Sequence, residues 1–465
     1  MTAGPGPTEG LSEWLGRDLD ELAHAPLPAA SAAAAKDRLL HAVGITLASS
    51  ALPAPAAAWR AVRNDAGPCT VLGRPGWVAP ASAAFANAVA AHSSLLEDCG
   101  PGGLSEGSHP GTYVPASALA AAEQSGASGA DLLTAIVVGY EAVGVLGAVA
   151  PVSIVRRRFR PLGVLGPIGA AAAAASLYGC DAGQLAAAIS IAANTAAGYG
   201  QGFVSGSTEP YLHAGFAARN GLLAADLAAA GCMAAPNSLD GPYGFFQTYG
   251  GEGGRVPPDQ PRHAVTRLGT KRFAACLQNQ ETLTLIRAHL PVPLAPATIA
   301  RVTLFRPATP NNGIASPGVA ERPPYATMLQ RQMSARFTAA AALLGRPVED
   351  VRYFESAGDD DEAAGLAAVI ELCNTGEPTV RIEVELRDGT RYATSGDMSG
   401  VLFPTSGDLI QRFRDRVESV LGPATEEVIS MIAQLERLPS ASSLLDALRP
   451  AETAAAGLDA KEPVR

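Results

Sequence analysis

The feature that most constrains this chain is a change of period. From Leu11 to about Phe246 apolar residues recur at helical spacing, as in "SAAAAKDRLLHAVGITLASS", "SGADLLTAIVVGYEAVGVLG" and "HAGFAARNGLLAADLAAAGC", with Gly and Pro between segments. After Gly254, "TIARVTLFRP" and "TVRIEVELRDGTRYAT" alternate apolar and polar residues with period two. Helical spacing returns between them in "YATMLQRQMSARFTAAAALLGR" and again from "SGDLIQRFRDRVESVLG" onward. Such a chain is mainly α with a smaller α+β domain: helices over residues 1–254, an α+β lid over 255–400, and helices over 401–465 that return to the first domain. Asp388-Gly389 marks a hairpin turn, and Ser128 and Asp181 are placed to cap helices. The opening "TAGPGPTEG" reads as a flexible arm and the tail after Pro450 as frayed.

Composition narrows the partners. With 465 residues the chain is too long for one core, and its 48% hydrophobic content is rich in alanine, which favours helix. The most apolar windows are interrupted by Gly139, Tyr140, Glu141, Gly144, Pro151 and Pro167, so buried helices are expected and a bilayer span is not. No basic region followed by an apolar stretch opens the chain, and a cytoplasmic location is expected. A net charge of -10 without a basic, aromatic-studded stripe argues against nucleic acid. Cys69, Cys99, Cys180, Cys232, Cys276 and Cys373 form no CxxC pair, so neither a disulfide framework, a metal centre nor a cofactor is expected, and activity should survive chelation. Phosphate-loop, dinucleotide and GxSxG signatures are absent; "GPIGAA" and "GYGQGF" sit among helices, and "VSGST" is a polar turn.

Several blocks occur together: "AAFANAVAAHSSLLEDC", "HPGTYVPASALAAAEQSGASGADLLTAIVVGYE", "GPIGAAAAAASLYGCDAGQLAAAISIAANTAAGY", "LHAGFAARNGLLAADLAAAG", "GPYGFF" and "KRFAAC". In order and spacing they resemble the MmgE/PrpD family, over roughly residues 25–440. That resemblance implies a large helical domain closed by an α+β lid, a homodimer, a cleft between the domains, and cofactor-independent lyase chemistry beside carboxylates. It also exposes departures. Where the family reads H-x-x-D-F-D-D-T, this chain reads from His92 to Cys99 with Leu95 at the first acid and Cys99 at the threonine. The histidine of "G-F-H-P" is Arg160 here, the lysine before "LHAG" falls at Glu209 and Pro210, and a histidine near "KRFAAC" is represented only by Cys276 or Gln280.

Eliminating water beside a carboxylate needs a base, an acid and cations for the enolate-like charge. His109, in the HPG block, is the candidate proton-transfer residue, set against a loop histidine that caps a helix. Lys271 is the candidate catalytic cation, set against a solvated lysine beside Arg272. Arg160 could grip a carboxylate through two parallel hydrogen bonds, although a run of arginines is commonly a solvated patch. Cys99, Asp98, His213, Tyr199 and Gln201 complete the substrate-binding candidates; the alternatives are a buried small hydrophobe for Cys99, a loop cap or a support for His109 for Asp98, and a core histidine for His213. His92 is read as a packing or anchoring residue. These residues point to a dehydratase acting on a hydroxy acid other than methylcitrate, in specialised metabolism. A decarboxylase or an isomerase/epimerase through the same intermediate, and a non-catalytic dimeric member of the fold, remain the alternatives.

Overall fold

The computed structural model describes residues 9–100, 107–251, 253, 255–257, 260–307, 318–377, 379–396 and 400–449. The expected arm before Glu9 and tail after Arg449 lie outside these, as does the middle of the glycine-rich loop at 101–106.

The helical domain is built around Pro161–Leu177, which packs against Glu209–Ala229, Gly129–Val149, Ala182–Ala193 and Val114–Ser125. Residues Leu162 to Ala175 of this helix are all buried. Small side chains make that possible, because they let neighbouring helices approach closely on several sides at little entropic cost. Pro167 lies inside the helix, where its ring removes the hydrogen bond that Gly163 would accept. The freed Gly163 carbonyl is taken by the Ala197 amide at 3.1 Å. A side chain at Gly163 is impossible without movement, since its Cβ would lie 1.8 Å from the Ala197 carbonyl oxygen. This close seam fixes Ala197-Gly198, and Gly198 in turn accepts the Arg160 amide at 3.0 Å.

Gly129–Val149 is long and apolar enough to cross a bilayer, a length the interruptions in its sequence concealed, yet 89% of that window is buried inside the protein. Ser128 and Asp181 both form capping boxes, with Asp131 and Gln184.

The C-terminal helices rejoin this first core. Ser406–Leu421 and Ala424–Ala433 pack on Ala29–Ser49, with the Phe413 ring lying over Gly44, and Ala441 donates its amide to the Ala127 carbonyl.

The lid carries a four-stranded sheet. Strands β1 (Cys69–Thr70) and β2 (Trp77–Val78) pair in the helical domain, and β3 (Asp98–Cys99) pairs with β4 (Gly269–Thr270) at the junction. The sheet itself comprises β5 (Ile299–Pro307), β6 (Glu371–Thr375), β7 (Val380–Leu386) and β8 (Arg391–Gly396), in the order β6-β5-β7-β8. β5 and β6 are parallel; the other pairs are antiparallel. Gly389 adopts φ 89° in the β7–β8 turn, as its Asp-Gly signal predicts.

Two details depart from the periodicity. The segment read as one helix is two, Met328–Met333 and Ala335–Leu343, because Ser334 turns out of helical geometry and caps the second through the Phe337 amide. β6 lacks strict alternation and is held by pairing with β5. Val265 and Leu268 still belong to the helical core, and the chain enters the lid core at Phe273. Ile45, Ala91, Leu95 and Leu96 of the helical domain also enter the lid core, so the two domains share a packed boundary.

Candidate active site

The helix Pro80–Ser93 ends at this boundary. Ser94 donates to the Ala91 carbonyl and accepts the Leu96 amide, while Leu95 adopts the left-handed φ of 49°. This turn feeds β3. The β3–β4 register pairs Asp98 with Thr270 and Cys99 with Gly269, so the next position along the two chains opposes Glu97 to Lys271. Lys271 Nζ donates to Glu97 Oε1 at 2.5 Å, and Lys271 is only 1% exposed. His109 Nε2 lies 3.6 Å and His92 Nδ1 3.7 Å from the same oxygen. One carboxylate thus gathers an ammonium and two imidazoles inside the junction.

Burial opposes charge on both members of the pair, and each is rescued by the other. For Glu97 desolvation is the largest cause, but the Lys271 ammonium together with His109 and His92 overcomes it and holds the carboxyl well below its ordinary value, while Glu97 leads the contacts that raise Lys271 against the same penalty. The imidazoles go the opposite way. Burial, reinforced by the Lys271 charge, pushes His109 down to about 3, and burial also lowers His92. His109 is therefore neutral at ordinary pH. Its Nδ1–H donates to the Asp98 carbonyl at 2.7 Å, which leaves the Nε2 lone pair facing Glu97 and Lys271.

The HPG block supplies that geometry. His109 takes the left-handed φ of 51° at the start of the short turn Pro110–Thr112. The Gly111 amide donates to Asp98 Oδ1 at 2.8 Å, and a Cβ at Gly111 would sit 2.7 Å from the same carboxylate. Tyr140 donates to Asp98 Oδ2 at 2.7 Å, and burial lifts the Asp98 carboxyl to about 6. This corrects the reading of Asp98 as a substrate contact: alternation along β3 turns its side chain away from Glu97, and its carboxylate anchors the His109 turn.

Arg160 precedes Pro161–Leu177, and its guanidinium lies 4.2 Å over the Phe203 ring. Its Nη1 is shielded from solvent and meets no partner among the described residues. Burial lowers Arg160 to about 10, with the Glu97 charge opposing, so it stays cationic. His213 lies on Glu209–Ala229 against Gly198, and burial followed by the Arg160 charge pushes it to about 3.

Two other candidates stand apart. Tyr199 is 60% exposed, bridges Phe159 on the outer side of the Arg160 segment, and leaves Gln201 exposed beside it. Both are expected substrate contacts that the structure places at exposed positions, apart from the buried cluster. Cys99 is buried and packs with Leu277 and Leu402, close enough to Lys271 to bear on its charge. Gln280 clamps the "KRFAAC" turn by accepting the Arg272 and Phe273 amides.

Glu97 was not singled out from the sequence, although a lysine destined for burial demands a carboxylate partner. Gln332 of the lid was also missed. It accepts from Tyr211 Oη at 2.7 Å and donates to the Ser94 carbonyl at 3.2 Å, tying the lid to the turn that aims Glu97.

A helical domain and an α+β lid that enclose an ammonium–carboxylate pair, two imidazoles and a guanidinium whose Nη1 meets no partner among the described residues define a two-domain protein with a buried charged cluster at the domain junction. The chain belongs to the MmgE/PrpD family: residues 15–255, just over half its length, match the MmgE/PrpD N-terminal domain. It is 28% identical to the cis-aconitate decarboxylase-like protein oryM of Aspergillus oryzae, covering 94% of this chain and 96% of that one. It is 29% identical to the cis-aconitate decarboxylase of Homo sapiens, with 82% of each covered, and 25% identical to that of Aspergillus terreus, with 82% and 84% covered. Family and relatives together place the protein among the lyases.

Proposed function

We propose that the protein is a carbon–carbon lyase that removes carbon dioxide from a small unsaturated polycarboxylate of the cis-aconitate kind. The observation that carries this reading is the Arg160 guanidinium, whose Nη1 meets no partner among the described residues, together with the enclosed Lys271–Glu97 pair, which offers separate cationic anchors for two carboxylates. The names of the relatives along the length of the chain support the same reaction. A carboxylate gripped by Arg160 orients the substrate, while a second one meets Lys271. As the carbon–carbon bond to the departing carboxylate breaks, its electron pair moves into the adjoining unsaturated acid, and Lys271 stabilises the enolate-like charge. The Lys271 ammonium then delivers the proton that replaces carbon dioxide and regains one from solvent, with Glu97 holding the ammonium in place.

Dehydration of a hydroxy acid is the second reading. The free Nε2 lone pair of His109 favours it, since a neutral imidazole facing an ammonium can take an α-proton while Lys271 protonates a leaving hydroxyl. Incubation with cis-aconitate and with citrate separates the two. Carbon dioxide release from cis-aconitate supports the first reading; loss of water from citrate without carbon dioxide replaces it with the second.

The homodimer and the cytoplasmic location belong to this proposal as well. An exposed stripe on Glu209–Ala229 formed by Phe216, Leu223 and Leu227 supports self-association. Sedimentation of the full chain tests it; a monomer at assay concentration would remove the dimer from the reading.

A further inference from the structure

Beside the Glu97–Lys271 pair lies a cavity of about 360 Å³ between the helical domain and the lid. Leu96 and Arg272 line it, and these are the immediate neighbours of Glu97 and Lys271. Neighbouring residues on extended chain face opposite ways, so the two segments present the acid–base pair on one side and the cavity wall on the other. Its volume falls within the range of about 300–1,000 Å³ usual for small-molecule sites.

Ser406–Leu421 brings both signs to the cavity wall, Asp408 and Asp415 beside Arg412 and Arg416. Arg412 and Arg416 of that helix face it with Arg272, and no carboxylate lies within ion-pairing distance of Arg412 or Arg416 among the described residues. Arg412 Nη1 is buried without a partner among them. Burial lowers Arg412, and the Arg272 charge lowers it further. The acids on the cavity wall have closer partners, Asp350 with Arg352, Glu349 with Arg287 and at 3.7 Å with Arg272, Asp408 with the Thr405 hydroxyl, and Asp415 with the Gln411 amide, and at longer range Asp408 offsets part of the desolvation of Arg412, as Asp415 and Asp350 do for Arg416.

A direct path links the cavity to the catalytic turn. Arg416 Nη1 donates to His41 Nδ1 at 3.4 Å, and His41 Nε2–H donates to the Leu96 carbonyl at 2.8 Å. That carbonyl belongs to the peptide joining Leu96 to Glu97. His41 is wholly buried and held well below its ordinary value, first by burial and then by Arg416, so it stays neutral and keeps this donor–acceptor arrangement.

We propose that this cavity is an effector site for a small multivalent anion, a phosphate or a polycarboxylate, held by Arg412, Arg416 and Arg272 and felt at Glu97 through His41 and Leu96. An anion that draws Arg416 toward itself alters the hydrogen bond to His41 and thereby the peptide that positions Glu97. The inference is independent of which bond the enzyme breaks.

The test uses the full chain carrying Arg160→Gln, which removes the Arg160 charge from the catalytic cluster. Isothermal titration with inorganic phosphate and with tricarballylate reads binding, and the tighter ligand names the anion class. Arg412→Gln in that background should weaken binding by about tenfold or more, the scale of a lost charge-assisted hydrogen bond, whereas Arg412→Lys should retain most of it. In the Arg160→Gln chain the bound anion should slow hydrogen–deuterium exchange across residues 94–99, and adding Arg412→Gln should remove that slowing. Absence of saturable binding, binding indifferent to Arg412→Gln, or binding that leaves exchange at 94–99 unchanged would each overturn the proposal.

Discussion

The alanine-rich centre of the helical domain and the junction beneath the lid are both buried, but they are held together by different physics. Around Pro161–Leu177 contact is made by alanine and glycine, and the main constraint is space: Gly163 lies against the Ala197 carbonyl and Gly139 against Val114. At the junction Glu97, Lys271, His92, His109, Asp98 and Gln332 are buried together, and the constraint is compensation of charge and hydrogen bonds. The difference teaches where function can reside. A seam of small side chains excludes water without offering reactive groups, whereas the junction keeps reactive groups dry and aimed.

The sharpest way to break this comparison is to remove one partner of the buried pair. Lys271→Met leaves Glu97 uncompensated and should cost about 3–5 kcal/mol in urea unfolding, together with activity. Adding Glu97→Gln should restore most of the stability and none of the activity. A double variant as unstable as Lys271→Met alone would contradict the charge argument.

The helical seam should fail by shape instead. Gly163→Val must displace the Ala197 backbone and should cost about 3 kcal/mol, near the upper end for an overpacked core, in the same unfolding assay. Parent-like stability would show that the seam yields more readily than its contacts indicate.

His109→Asn probes chemistry with little change of packing, since an amide can still donate to the Asp98 carbonyl. If the enzyme eliminates water, with His109 taking the α-proton, the variant's kcat should fall by about 100-fold, the scale of a lost proton-transfer group, whereas decarboxylation with Lys271 as proton donor should leave kcat much less affected; the melting temperature should be nearly unchanged in either case. Parent-like kcat in the folded variant would return the HPG turn to a structural role.

The smallest expected effect is on the pH dependence of stability. His109 has a folded value depressed to about 3 from 6.5, so its contribution is present above about 6.5 and is lost as pH falls toward 3. Asp98, raised from 3.8 to about 6, runs the other way, contributing below 3.8 and losing that contribution as pH rises through 6. Thermal unfolding between pH 6.5 and 4 should therefore show a slope that His109→Asn reduces by at most about 1.4 kcal/mol per pH unit. A near-neutral limb in the activity profile is not expected from His109 in the unliganded site, because burial has moved its titration out of that range.

Periodicity, capping residues and the Asp-Gly turn depend on neighbours a few positions apart, so the helical domain, its boxes at Ser128 and Asp181, and the β7–β8 hairpin were legible in the sequence. The tight turn at His109 was legible too, through the HPG block. The protonation of His109 was not, because desolvation depends on which groups enclose the ring. β6 escaped notice for a related reason: it is a strand by virtue of its partner β5.

Local chemistry along the chain thus determined the helices, the turns and the residue types available for catalysis. Tertiary structure decided which of them meet. Glu97 and Lys271 are 174 residues apart and become a pair only through the β3–β4 register. The same register sends the Asp98 carboxylate to Tyr140 and Gly111, away from the cluster. Whether a carboxylate reacts or merely braces a turn was set by the face of a two-residue strand, because side chains alternate with period two and a shift of one position would exchange the roles.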